Sequence, residues 1–177
     1  NIFIVLLNSM KKKKKSMLRV ERICIYFIFA ILNFLFSYNL EARDYVDKGH
    51  IVIDLKNKVE WLKCSVGQVW DNEKCTGNSV KVSLPEAEDL LPQVNQELGG
   101  EWRLPNKKEL ISIICKNCSG AKINKTYFPN SQADIYWTSQ RNWWSPQFFW
   151  SVNFMTGHAY GRFVPEKKLF VRFLRDR

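Results

Sequence analysis

Histidine is nearly absent from this sequence. His50 and His158 are the two in 177 residues, and each stands alone. No Ser-His-Asp arrangement for nucleophilic catalysis is suggested. Paired carboxylates do not replace it, because Glu86, Glu88 and Asp89 read as the first turn and exposed face of a helix. Long apolar runs are missing too. The one sustained run, residues 23–36, falls short of the about 20 residues that a membrane-spanning helix requires. A single C-x-x-C occurs, Cys115-Lys116-Asn117-Cys118, whereas a structural zinc site needs four ligands converging on one tetrahedral centre. Residues 43–177 carry no internal repeat and no low-complexity linker.

What is present begins with a charged leader. Lys11 to Lys15, Arg19 and Arg22 precede the apolar run, the order of a basic n-region and an h-region in a secretory signal. Residues 1–42 are therefore expected to be an N-terminal extension with an export signal, initiated at Met10 or Met17. Cleavage is expected near Ala42; an uncleaved anchor is the alternative, and the one route by which a membrane becomes a partner. Residues 43–177 form one domain. From Arg43 onward, 20 Lys and Arg stand against 15 Asp and Glu, which leaves +5 of the formal +10. The basic excess is thus half leader. The remainder is interspersed, which speaks against nucleic acid and leaves anionic polymers as partners.

Four cysteines follow the leader: Cys64, Cys75, Cys115 and Cys118. An even number in an exported chain suggests disulfides, with three pairings open. The local pairing, Cys64 with Cys75 and Cys115 with Cys118, is preferred because turn-forming residues lie within each segment. Redox catalysis at the C-x-x-C would need a thiol pKa lowered at a helix N-terminus, and this pair follows the end of an expected helix.

Residues 50–54 and 58–62 read as a strand pair, followed by a short strand at 79–82. Residues 83–98 read as a helix ended by Gly99-Gly100. Pro92 either kinks it or starts a second helix near its N-terminus. Asn106 is the N-cap of the next helix, with Glu109 completing a capping box. Leu110, Ile111, Ile113 and Ile114 are its expected buried face. The last third reads as a β-meander: residues 134–139, the alternating Phe148, Trp150, Val152 and Phe154, residues 159–163, and a closing strand at 168–174. Leu169, Val171 and Phe173 share one of its faces. The fold class is α+β, two helices packed on an antiparallel sheet.

Four segments in order carry a resemblance. They are Val59-Glu60-Trp61 running into Cys64-Ser65-Val66-Gly67 and Cys75-Thr76-Gly77; Trp102-Arg103-Leu104-Pro105 with Glu109-Leu110; Tyr127-Phe128-Pro129-Asn130 leading to Tyr136-Trp137-Thr138-Ser139; and Trp150-Ser151-Val152-Asn153-Phe154 followed by Val171-Arg172. Together they resemble the Lcl-type C-terminal domain of collagen-like bacterial adhesins over most of residues 46–175. The resemblance implies a C-type-lectin-like fold in an exported protein linked to adhesion, including binding of sulfated polysaccharides. The chain departs from the pattern in lacking a collagen-like tract, and in having Phe173 where relatives often carry a cysteine. The Trp-Arg-Leu-Pro segment also resembles the sulfatase-modifying superfamily. The cysteine pair on which that chemistry depends has no counterpart after Cys118. Calcium-dependent sugar binding is not expected, since Asp134, Glu166 and Asp176 are the acidic residues after Tyr127, too scattered for six to eight oxygen ligands.

Of seven tryptophans, Trp61, Trp102, Trp137 and Trp150 are expected in the core. Trp143 and Trp144 fall in a loop, Arg141-Asn142-Trp143-Trp144-Ser145-Pro146-Gln147, and loops on a rigid scaffold concentrate binding residues. Aromatic faces stack on sugar rings or apolar surfaces. The alternative is one ring folded back to cap the sheet. Candidate ligand contacts are thus Trp143, Trp144, Arg141 and Gln147, with Arg162, Lys167 and Lys168 near the last turn; the basic ones otherwise form an ordinary solvated face. The expected function is a non-catalytic, exported binding or adhesion module for a glycan or envelope protein, with no cofactor and no metal. A structural subunit of a surface assembly, or an enzyme without the usual cysteine pair, is the alternative.

Overall fold

The computed structural model describes residues 44–177; the leader expected over residues 1–42 lies outside them. Strands β1 (Tyr45–Lys48), β2 (Ile51–Asp54) and β3 (Val59–Leu62) run antiparallel in chain order. The β2–β3 turn is closed by Asp54, whose carboxylate accepts from the Asn57 backbone N–H at 2.9 Å and from its side-chain amide at 2.6 Å. β1 goes unannounced in the sequence because Val46, Asp47 and Lys48 are all exposed, so no apolar period marks it. β4 (Val69–Trp70) and β5 (Cys75–Thr76) make a two-residue hairpin closed by the Cys64–Cys75 disulfide. The strand expected at 79–82 reduces to one bridge, Val82 to Leu169.

Of the two readings of residues 83–98, a kinked helix or a second helix starting near Pro92, the structure shows the second. α1 (Leu84–Asp89) is capped by Ser83, which accepts from the Glu86 N–H while Glu86 reaches back to the Ser83 N–H. α2 (Leu91–Leu98) begins with Pro92 in its first turn, where a missing N–H costs no hydrogen bond. Leu90 lies between them. α3 (Lys107–Ser112) has the expected Asn106–Glu109 capping box but ends three residues short of Cys115. Its buried face is correspondingly narrow. Leu110 and Ile113 are inside, Ile114 is half-buried and Ile111 is exposed, since a six-residue helix presents one short stripe.

β6 (Ile135–Arg141), β7 (Phe149–Asn153) and β8 (His158–Phe163) form the meander. The closing segment adds no regular strand to it and meets it at Phe170, which exchanges backbone hydrogen bonds with Ile135 and Trp137 of β6. Leu169 bridges Val82, Phe170 runs beside Tyr136, and β9 (Leu174–Asp176) pairs with β3 to give the order β1-β2-β3-β9. Burial supplies the reason. Leu169, Val171 and Phe173 enter a core with Ile51, Leu84, Trp102 and Trp137, while Phe170 and Leu174 enter a second with Val52, Trp61, Phe128 and Tyr136. An edge strand of the meander would leave one of these faces in water. The architecture is thus mixed α and β, with three short helices and three small sheets among the described residues.

Arg172 lies in this inserted segment and is fully buried. Its guanidinium donates to the carbonyls of Leu62 and Lys63 and to the hydroxyls of Ser65 and Ser131, and it stands over the Phe128 ring. Burial pushes its pKa down to about 10, partly offset by Tyr136. The side chain ties the end of β3, the disulfide-closed segment and the loop after Phe128 to one point.

Candidate functional site

The β6–β7 connection projects from a well-anchored base. Asn142 donates its side-chain amide to the Gly161 carbonyl of β8 at 2.8 Å, its N–H donates to Phe148 O, and its Oδ1 accepts from the Trp144 N–H. Gly161 makes this approach feasible: a Cβ there would lie 2.9 Å from both Asn142 Nδ2 and the Trp150 ring. On that base Trp143 and Trp144 are 74% and 78% exposed, their ring centroids 4.3 Å apart at 43°. Neither ring folds back onto the sheet. Trp150, expected in the core, is half-buried, with Lys107 Nζ 3.7 Å above its ring.

Strand register decides which cations share this end of the sheet. Arg141 pairs with Phe149, and Phe149 with Phe163, so Arg141 and Arg162 belong to the same end of the meander as the loop. Arg141 stacks on Phe149 at 5.0 Å and Arg162 on Tyr160 at 4.9 Å. Both residues are exposed, as are Gln147 and Lys167. Lys168 faces Glu86 of α1 at 3.6 Å, so part of its charge is already engaged. The arrangement offers two adjacent aromatic faces and fixed positive charge beside them. Among the described residues no group of three His, Cys, Asp or Glu side chains converges as metal ligands would.

Both disulfides take the expected pairing, Cys64–Cys75 and Cys115–Cys118. The second follows α3 rather than opening a helix.

A second feature, a concave one, is announced by no motif in the sequence. A cavity of about 570 Å³ is lined by the disulfide-closed segment and α2, together with His50, Leu62 and Phe173. Its residues come from four separated stretches, so no spacing rule assembles them. The signal available in hindsight is the half-apolar face of α2, where Leu91 and Val94 are incompletely buried and Leu98 is exposed.

With this geometry in view, a family model described as the Lcl C-terminal domain matches residues 50–175. No curated protein and no solved structure matches the chain.

Proposed function

The chain belongs to the Lcl C-terminal domain family, and from that premise we propose that it is a non-catalytic binding module, exported and acting at the bacterial surface. The family suggests a surface-associated bacterial domain. The tryptophan loop is the contact surface, and its ligand is a glycan, with sulfated or otherwise anionic polysaccharides favoured over neutral ones. One observation carries this reading: Trp143 and Trp144 stand side by side and largely exposed on a hydrogen-bonded base. Exposing two indoles is unfavourable in a monomer unless a partner covers them, and flat aromatic faces suit sugar rings. Arg141 and Arg162 at the same end of the sheet, with Lys167 and Lys168 just beyond β8, supply the preference for negative charge.

Two disulfides fit folding in an oxidising compartment, which supports export. The family resemblance further supports a C-type-lectin-like arrangement related to the sulfatase-modifying superfamily, proposed here without calcium. The test is binding to a panel of neutral and sulfated polysaccharides before and after Trp143→Ala/Trp144→Ala. Loss of two stacking faces is expected to weaken a confirmed ligand by about tenfold or more. Unchanged affinity would remove the loop from the proposal.

A further inference from the structure

Trp150 lies at the root of the tryptophan loop. A Cβ on Gly161 would stand 2.9 Å from both Asn142 Nδ2 and Trp150 Cε2. Cε2 carries the indole nitrogen, so the N–H edge of the ring adjoins Asn142, which anchors the loop and precedes Trp143. Gly161 is not among the glycines with positive φ, so its missing side chain serves this close approach rather than a turn.

Two donors here have no oxygen acceptor among the described residues. The first is the Trp150 indole N–H. Those of Trp102 and Trp137 donate to the carbonyls of Gly99 and Val82. Those of Trp61 and Trp70 lack acceptors but are enclosed, whereas that of Trp150 meets solvent. The second is Lys107. Lys63, Lys107 and Lys122 are the described lysines that are not exposed. Lys63 bonds the Asp47 carboxylate, and Lys122 the carbonyls of Lys116 and Cys118. Lys107 Nζ stands 3.7 Å over the Trp150 ring and is open to solvent. A ring face attracts the charge, yet the ammonium N–H groups that point away from it still lack an acceptor.

Both side chains have a fixed base. The Lys107 N–H donates to Gln140 Oε1 at 3.3 Å, and Thr138 Oγ1 donates to the Trp150 carbonyl at 2.7 Å. The surroundings set the sign of the charge. Residues 135–165, the meander with its loops, contain no Asp or Glu. Glu109, on the same short helix as Lys107, is taken up by Arg103 and the Asn106 N–H.

We propose that the Trp150 indole N–H and the Lys107 ammonium form a second subsite of the tryptophan-loop surface. It takes an anionic substituent, a sulfate or a carboxylate, of the polysaccharide whose sugar rings lie on Trp143 and Trp144. This rests on the glycan reading of the loop and adds the residues that read the charge. Two donors on one ring can share the oxygens of a single anionic group, and the hydrogen bonds are charge-assisted.

Two titrations of the full chain test it. Sodium sulfate, compared with sodium chloride at equal ionic strength, should move the Trp150 indole N–H resonance saturably and leave that of the enclosed Trp61 in place. Lys107→Gln should abolish the movement, and Trp150→Phe assigns the resonance by removing it. Heparin is the second probe. Lys107→Gln and Trp150→Phe should each weaken it about three- to tenfold. Lys108→Gln, which removes the same charge from the next residue, should change it by less than about twofold. Circular dichroism confirms that the variants are folded. A Trp150 resonance indifferent to sulfate, or equal losses in Lys107→Gln and Lys108→Gln, would overturn the proposal. Heparin binding weakened by Trp143→Ala/Trp144→Ala but not by Lys107→Gln would overturn it while the loop reading stands. The reverse result would strike out the loop and leave Lys107 and Trp150 as the anion site.

Discussion

Arg103 and Glu109 form a two-pronged ion pair, Nη2 to Oε1 at 2.7 Å and Nη1 to Oε2 at 3.0 Å, across the turn that opens α3. The same Glu109 carboxylate accepts the Asn106 N–H, so one side chain closes the capping box and seats the arginine. Arg103 also exchanges backbone hydrogen bonds with Leu174 and reaches Asp176, which docks the C-terminal strand beside the helix start. Its guanidinium is held above its usual pKa first by Glu109 and then by Asp176.

Glu109→Ala is therefore expected to destabilise the domain by about 2 kcal/mol, the sum of a lost cap and a charge-assisted pair. Lys108→Ala, on the next residue, should stay within about 0.5 kcal/mol. Urea denaturation of both variants measures the difference.

Arg172 predicts a larger effect. Arg172→Met keeps much of the volume but strands the carbonyls and hydroxyls that the guanidinium satisfies. A loss of about 3 kcal/mol or more is expected, since each buried acceptor left unpaired costs on the order of 1–3 kcal/mol. Arg172→Lys should recover only part of it, because one ammonium cannot reach four acceptors in a fixed fork. Equilibrium unfolding of both variants tests the order.

The disulfides should differ in worth. Cys64–Cys75 spans a sequence separation of 11 and Cys115–Cys118 one of 3. Loop-closure entropy puts the first at about 3 kcal/mol and the second nearer 1.5 kcal/mol. Paired Ser variants, compared by thermal unfolding, should show the larger drop for Cys64→Ser/Cys75→Ser. Loss of the larger stabilisation at 115–118 would contradict the ordering.

His50 gives a pH signature. Its pKa is lowered from 6.5 by burial, then by Arg175, Lys48 and Lys63. Below pH 6.5 the unfolded chain takes up the proton more readily than the folded one, so this residue's contribution to stability falls as pH drops from 6.5 toward the lower folded value. His50→Gln should show a smaller loss between pH 7.5 and 5.5 than the parent protein, read from denaturation midpoints. An identical loss in both would place the acid sensitivity elsewhere.

Local signals carried much of the secondary structure. Asn106 and Glu109 announced their capping box, and Pro92 marked a helix start, because a cap and a missing N–H act within one turn. Ser83-Leu84-Pro85-Glu86 held a second capping box that the spacing would have revealed. The alternation around Val152 was legible as a strand, although Ser151 on the opposite face is buried too, under Tyr160, whose carbonyl accepts from its hydroxyl. The exposure of Trp143 and Trp144 followed from their place in a loop, while Trp150 in the adjoining strand turned out half-covered by Lys107.

The sequence by itself determined the elements that close over a few residues, the caps, turns and meander hairpins, together with the family, and it favoured the two local disulfides among three possible pairings. Tertiary structure decided where residues 169–176 go, what Arg172 satisfies, and that a cavity opens behind Cys64. Those depend on partners far along the chain, with β9 beside β3 and Arg172 reaching Ser65 and Ser131. A segment with apolar residues on both faces reads as a strand wherever it lies. Only the presence of two separate cores, each able to bury one face, fixes its position between them.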